Sequence, residues 1–134
     1  MKILIAEDDL TSRLILENFL QEYGTTNVVV NGTEAVSAVR SALKDGQPYD
    51  LICLDIMMPE MDGVKALEKI RKSEEGRGIT STYGAKIIMI TALDDPKNVM
   101  DSFKELCDAY IVKPIDKTML LQKLDEIGLA RIGQ

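Results

Sequence analysis

Ile3-Leu4-Ile5-Ala6-Glu7-Asp8-Asp9 and Leu51-Ile52-Cys53-Leu54-Asp55 share one design, a short unbroken apolar run that ends abruptly in acid. Two further runs follow it with other polar ends, Ile87-Ile88-Met89-Ile90 into Thr91 and Tyr110-Ile111-Val112 into Lys113. Each run is too short for a helix, and a continuous apolar run suits a strand buried on both faces, as in a parallel sheet. If the four strands are parallel, their polar ends gather at one edge of one sheet. Open α/β sheets bind ligands outside the carboxyl ends of their strands, so the same pattern predicts a fold and the place of a site.

Between the runs the periodicity turns helical. Leu10, Leu14, Phe19 and Tyr23 recur at helical spacing, with Gly24 as the stop. Val28-Val29-Val30 reads as the second strand, ended by Asn31-Gly32, and Ala35, Val36, Val39, Ala42 and Leu43 mark a second helix closed by Asp45-Gly46-Gln47-Pro48. The third strand spans residues 50–54, and the loop Met57-Met58-Pro59-Glu60-Met61-Asp62-Gly63 leads to a third helix marked by Val64, Leu67 and Ile70. Asp95-Pro96 looks like an N-cap with proline at the first helical position, opening a fourth helix through about residue 105. Asp116 can cap a last helix carrying Leu120, Leu124 and Ile127, with Gly128 at its end. Five strand-helix units in strict alternation predict an α/β, doubly wound parallel sheet with helices on both faces. Residues 72–85 form one long irregular, polar stretch. It joins a helix to a strand, which puts it at the amino-terminal edge, away from the polar convergence.

The 134 residues suffice for one domain with an ordinary core. The expected organisation is a single domain over residues 1–134, its core at about 2–128, with no output domain in this chain. The first strand pattern begins directly after Met1, and no apolar run approaches the ~20 residues of a membrane span, so a cytoplasmic protein without signal peptide or membrane partner is expected. A formal net charge of -6 disfavours direct nucleic-acid binding. Histidine is absent, which removes Ser-His and Cys-His nucleophile pairs, most metal-hydrolase ligand sets and any phosphohistidine on this chain itself. Cys53 and Cys107 read as reduced structural thiols.

Chemistry must therefore run on carboxylates, hydroxyls and lysine. At ~5 Å and an effective dielectric of ~20, each like-charge pair among clustered carboxylates costs roughly 3 kcal/mol, so a cation is required. Oxygen donors without His or Cys favour Mg²⁺ or Mn²⁺ over zinc. Asp55 sits alone at the end of a central strand, placed to attack phosphorus and form an acyl phosphate. Lys113 can neutralise phosphoryl charge, and the Thr91 hydroxyl can donate to a phosphoryl oxygen.

Together with Leu54-Asp55-Ile56-Met57-Met58-Pro59-Glu60-Met61-Asp62-Gly63, Thr91-Ala92 and Lys113-Pro114, the acidic triplet makes residues 2–128 closely resemble the receiver domain of two-component response regulators. The resemblance implies the flavodoxin-like (βα)5 fold with strand order 2-1-3-4-5. It implies that Asp55 accepts a phosphoryl group from a phosphohistidine on a sensor histidine kinase or histidine phosphotransfer protein. Direct metal ligands would be Asp8, Asp55 and the Met57 backbone carbonyl, with Glu7 acting through a water. Arg13, five residues after Asp8, matches a common basic position and selects Glu7 and Asp8 as the pair, leaving Asp9 peripheral. Thr91 and Tyr110 would be the switch pair and Lys113 the phosphoryl-binding lysine, with the bond to Pro114 cis. The face of the fourth helix, fifth strand and fifth helix would bind a downstream target or a second copy. Met57 and Leu93 occupy positions that tune hydrolysis, and apolar side chains there are expected to prolong the phosphorylated state. Leu106-Cys107 stands where the family usually has a Gly-Ala pair. A receiver of this kind is a signalling domain that catalyses only its own phosphorylation and dephosphorylation. The alternatives are a pseudo-receiver adaptor acting without phosphorylation and, further off, a phosphoaspartate hydrolase, which usually has a second Asp where Met57 stands. A flavodoxin-like cofactor binder needs a phosphate cradle after the first strand, where Glu7-Asp8-Asp9 would repel the ligand.

Overall fold

The structure, a computed structural model, describes residues 1–80, 83–92 and 104–129. Five strands, β1 (Lys2–Ala6), β2 (Thr25–Val29), β3 (Leu51–Asp55), β4 (Lys86–Thr91) and β5 (Ala109–Val112), pair in parallel in the order β2-β1-β3-β4-β5. This is the doubly wound order that the resemblance to receiver domains implies. Among the described residues there are four helices, α1 (Leu10–Leu20), α2 (Gly32–Lys44), α3 (Gly63–Glu75) and α4 (Lys117–Glu126). Each starts on a side chain that accepts a backbone N–H two residues into the helix: Asp9, Asn31, Asp62 and Asp116. The helix expected from Asp95-Pro96 falls on residues 93–103, outside the described residues, together with Leu93; residues 104–106 form a turn.

Successive strand residues point to opposite sides of the sheet, and two cores result. Leu4, Ala6, Ile52, Leu54, Ile87 and Met89 pack beneath α2 and α3 with Val36, Val39, Leu67 and Ile70. Ile3, Ile5, Leu51, Cys53, Ile88 and Ile90 pack on the other side with Leu16, Leu20, Leu120 and Leu124 from α1 and α4. Every residue of β3 is buried, as its continuous apolar run requires. Burial also pushes the Cys53 thiol up to about 12 and, with the nearby Asp108 charge, the Cys107 thiol up to about 11, which keeps both protonated and inert.

Three expectations are corrected. Leu10 and Leu14 do not face the core; they are 58% and 56% exposed, and the buried stripe of α1 is Leu16 and Leu20, continued by Tyr23. Spacing alone could not separate two i, i+4 leucine pairs on different faces. The second strand begins at Thr25 and ends at Val29, because an edge strand tolerates polar Thr25, Thr26 and Asn27 beside the buried β1. The irregular stretch begins only after Glu75, since α3 gains its last turn from a buried ion pair between Arg71 and Glu74 at 2.8 Å.

That pair is the centre of a larger network at the amino-terminal edge of the sheet. The Arg71 guanidinium also donates to the carbonyls of Leu106 and Ala85 and to Asp108 Oδ2. Glu74 Oε2 accepts the Ala85 N–H, and Asp108 Oδ2 accepts the Ile87 N–H. The end of α3, the start of β4 and the entry to β5 are thereby tied to one side chain.

Candidate functional site

The register sets the site. Ala6 lies opposite Leu54, Asp55 opposite Ile90, and Thr91 opposite Val112. Glu7, Asp55, Thr91 and Lys113 therefore stand at the carboxyl ends of four neighbouring strands. The loop that follows Asp55 is held tight. Gly63 N–H donates to the Ile56 carbonyl at 2.8 Å, and a Cβ on Gly63 would lie 2.2 Å from the Asp55 carbonyl oxygen, so only glycine lets α3 start this close to the strand. In the same loop Glu60 takes φ of 69°, a strained left-handed conformation that the sequence did not announce.

Carboxylate oxygens of Glu7, Asp8 and Asp55 lie within 4.8 Å of one another. Glu7 and Asp55 are buried, whereas Asp8 is exposed and opens the cluster to solvent. Lys113 reaches in from the end of β5, its Nζ 2.8 Å from Glu7 Oε1 and 3.5 Å from Asp55 Oδ2. The bond to Pro114 is cis. Glu7 Oε1 is fully buried, and the Lys113 ammonium is the cation that meets it among the described residues. Asp55 Oδ1 is 3.4 Å from the Met57 amide. Arg13 donates to the Glu7 carbonyl at 3.3 Å, anchoring the acidic turn from α1. Asp9 is committed elsewhere: it caps α1 by accepting the Ser12 N–H at 2.9 Å, a bond that holds its carboxyl below the usual range.

One ammonium cannot neutralise three carboxylates. Burial first, and then the hydrogen bond and charge of the neighbouring Glu7, raise Asp55 to about 7 against the opposing effects of Lys113 and the Met57 amide. Burial by itself would lower Lys113, but contact with Glu7 and the charges of Asp55 and Glu7 hold it above the ordinary lysine range. An all-oxygen donor set, two of its three carboxylates buried, and an excess of negative charge together fit a hard divalent cation such as Mg²⁺.

A stability prediction follows for metal-free protein. A carboxyl whose folded value is raised binds a proton in the native state that the unfolded chain has already lost, so its contribution declines as pH rises from about 3.8 to about 7. In chelator, Asp55→Asn is expected to be more stable than the parent at pH 8 by about 2 kcal/mol, the gap closing towards pH 5. Urea midpoints at the two pH values check this, and a pH-independent difference contradicts it.

Thr91 is buried at the end of β4, and its carbonyl accepts the Lys113 N–H at 2.7 Å. Tyr110, on β5, is 37% exposed. Met57, two residues beyond Asp55, is exposed to solvent. The structure thus brings Glu7, Asp8, Asp55 and Lys113 together, sets Thr91 beside them, and leaves Tyr110 at the surface.

The sequence model of the response regulator receiver domain matches residues 3–125, nearly the whole chain, and the chain belongs to that family. It is therefore a signalling domain of two-component systems. Among its relatives, chemotaxis protein CheY-3 of Vibrio cholerae is 33% identical over 127 residues, covering 95% of this chain and 91% of the relative. The osmosensing histidine protein kinase SLN1 of Saccharomyces cerevisiae is 26% identical over 136 residues, and the chain spans 11% of its length. Among solved structures, the receiver of Ssk1 bound to the histidine phosphotransfer protein Ypd1, from Saccharomyces cerevisiae, is similar with a TM-score of 0.80 at 28% identity, over 96% of this chain and 88% of that one. The receiver domain of the sensor histidine kinase PA1611 from Pseudomonas aeruginosa, with magnesium coordinated in its active-site cleft, gives 0.73 at 27% identity, over 95% and 97%. Among the described residues no helix is long and apolar enough to cross a membrane.

Proposed function

We propose that this chain is a phosphoacceptor receiver, a single domain whose Asp55 takes a phosphoryl group from a phosphohistidine on a histidine kinase or histidine phosphotransfer protein. The observation that carries the reading is the buried Asp55 carboxylate at the rim of an acidic cluster, with one lysine aimed at it and one face open through Asp8. The magnesium-bearing PA1611 receiver and the Ypd1-bound Ssk1 receiver support the cofactor and the class of donor.

Asp8, Asp55 and the Met57 backbone carbonyl would hold Mg²⁺, with Glu7 acting through a water. When bound, the ion supplies positive charge to the phosphoryl oxygens and to the crowded carboxylates. An Asp55 oxygen forms the new bond to phosphorus as the phosphorus–nitrogen bond to the donor imidazole breaks, and the electron pair leaves with the imidazole. The Lys113 ammonium neutralises the phosphoryl group, and the Thr91 hydroxyl donates to one of its oxygens. Tyr110, exposed beforehand, turns inward into the space that Thr91 vacates.

Exposed apolar side chains sit where partners would meet this site. Leu10 and Leu14 stand on the first turns of α1, just after the acidic triplet, and Met57 lies beyond Asp55. Tyr110 and Val112 on edge strand β5 and Met119 on α4 form a second exposed apolar set, suited to a downstream target or a second copy. Phosphorylation shifts that face between two pre-existing states.

Beryllofluoride with Mg²⁺ is the direct test of the site: amide NMR signals around residues 55, 91 and 110 should move, and none should move in Asp55→Asn. A response that survives in Asp55→Asn overturns the assignment. The apolar Met57 does not help a water approach the phosphoryl group, so the phosphorylated state should last minutes or longer. A half-life of seconds, measured by loss of label, contradicts this.

A further inference from the structure

An open groove of about 780 Å³ runs between α2 and α3, on the outer surface of the helix pair and apart from the acidic cluster. Its walls carry Arg40 and Lys44 from α2, Lys69 from α3 and Arg77 just past it, with the hydroxyls of Ser41 and Ser73 between them. No acidic residue lines it, although acids outnumber bases in the chain by 22 to 16. None of the four cations has an ion-pair partner among the described residues. Arg40 is already oriented: its Nε donates to Ser73 Oγ at 3.1 Å, and Ser73 Oγ donates in turn to the Lys69 carbonyl at 2.9 Å. That chain of bonds crosses from α2 to α3 and fixes Arg40 in the wall of the groove through Nε alone.

Four unpaired cations around one concavity in an acidic protein form a local positive field that favours anions. Lys44 and Arg77 stand at the carboxyl ends of their helices, where part of their charge offsets the helix poles. Arg40 and Lys69, further from the ends, are left to hold an anion. A planar guanidinium is a donor that recognises phosphate oxygens, and the Ser41 hydroxyl lines the groove with it. Ser73 instead gives its O–H to the Lys69 carbonyl and serves to orient Arg40. The volume lies within the range of small-molecule sites, and Val36, Leu43 and Met61 give the groove an apolar wall against which an uncharged portion can rest.

We propose that the α2–α3 groove binds a small phosphate-bearing polyanion of nucleotide size, with Arg40 and Lys69 as its principal anchors. The proposal is independent of the phosphorylation chemistry at Asp55. Its test is an amide-resolved NMR titration of the intact chain with adenosine triphosphate, inorganic triphosphate and a glutamate-rich peptide, all without Mg²⁺. Saturable shifts confined to residues 33–44 and 69–77 are expected with one or both triphosphates. The comparison between the two tells whether the base or only the phosphate chain is read. The double variant Arg40→Gln/Lys69→Gln, altered only at the surface of its helices, should bind on the order of tenfold or more weakly. It should keep the parent far-UV circular dichroism and beryllofluoride response. Shifts that do not saturate, shifts centred on residues 7, 55 and 113, unchanged affinity in the double variant, or tighter binding of the peptide would each overturn the proposal.

Discussion

Asp55→Asn is expected to reduce phosphoryl incorporation from acetyl phosphate or a phosphohistidine donor by roughly three orders of magnitude or more, since the attacking group itself is removed. The fold should persist, and in chelator at alkaline pH the variant should gain stability. The combination is diagnostic, because a substitution that merely damaged packing would lower both quantities. It follows from the placement of Asp55, a buried carboxylate with a buried glutamate beside it and, among the described residues, one lysine to offset them. Intact-mass measurement after incubation with donor and Mg²⁺ reads the first effect and urea denaturation the second. Incorporation undiminished in the variant would move the acceptor to another residue.

The largest stability effect is expected far from this chemistry. Arg71 is 4% exposed and Glu74 2%, and their pair is bound into the start of β4 and the entry to β5. Removing one partner of a buried pair leaves the other charge without compensation, an effect of about 3–5 kcal/mol. Arg71→Met should therefore lose about that much, read as a lower urea midpoint with an unchanged slope. Arg71→Met/Glu74→Gln should recover a substantial part, because the remaining polar group is neutral and can still accept the Ala85 N–H. A loss below 1 kcal/mol in the single variant would show that Glu74 and Asp108 find solvent or other donors when the guanidinium goes.

The difference between these two regions explains what could be read from the chain. Apolar runs ending in Glu7, Asp55, Thr91 and Lys113 were legible because a buried parallel strand has no other use for a polar terminus, and the register then makes convergence unavoidable. Asp9 could be separated from its neighbours only by the resemblance, and the structure gives the physical reason: its carboxylate is taken by the Ser12 N–H. The Arg71 network was invisible because its members are 37 residues apart between Arg71 and Asp108, and nothing in a charged helix end marks which charge is buried. An Arg and a Glu spaced i, i+3 on the apolar side of α3, in line with Leu67 and Ile70, were the available signal. Leu10 and Leu14 misled for the converse reason, since exposed leucines on a surface helix carry the same spacing as core ones. The α2–α3 groove depends on two helices adjacent in space, and a list of basic residues along the chain does not reveal that their acidic neighbours face elsewhere.

The central claim, that this acidic cluster makes Asp55 a phosphoacceptor, is tested most directly by intact-mass and peptide mapping after incubation with a phosphorylated histidine phosphotransfer protein. With Mg²⁺ present one added phosphoryl group is expected, located at Asp55, absent in chelator and absent in Asp55→Asn. No added phosphoryl group with Mg²⁺, from either that donor or acetyl phosphate, would contradict it and leave the chain as an adaptor that works without phosphorylation.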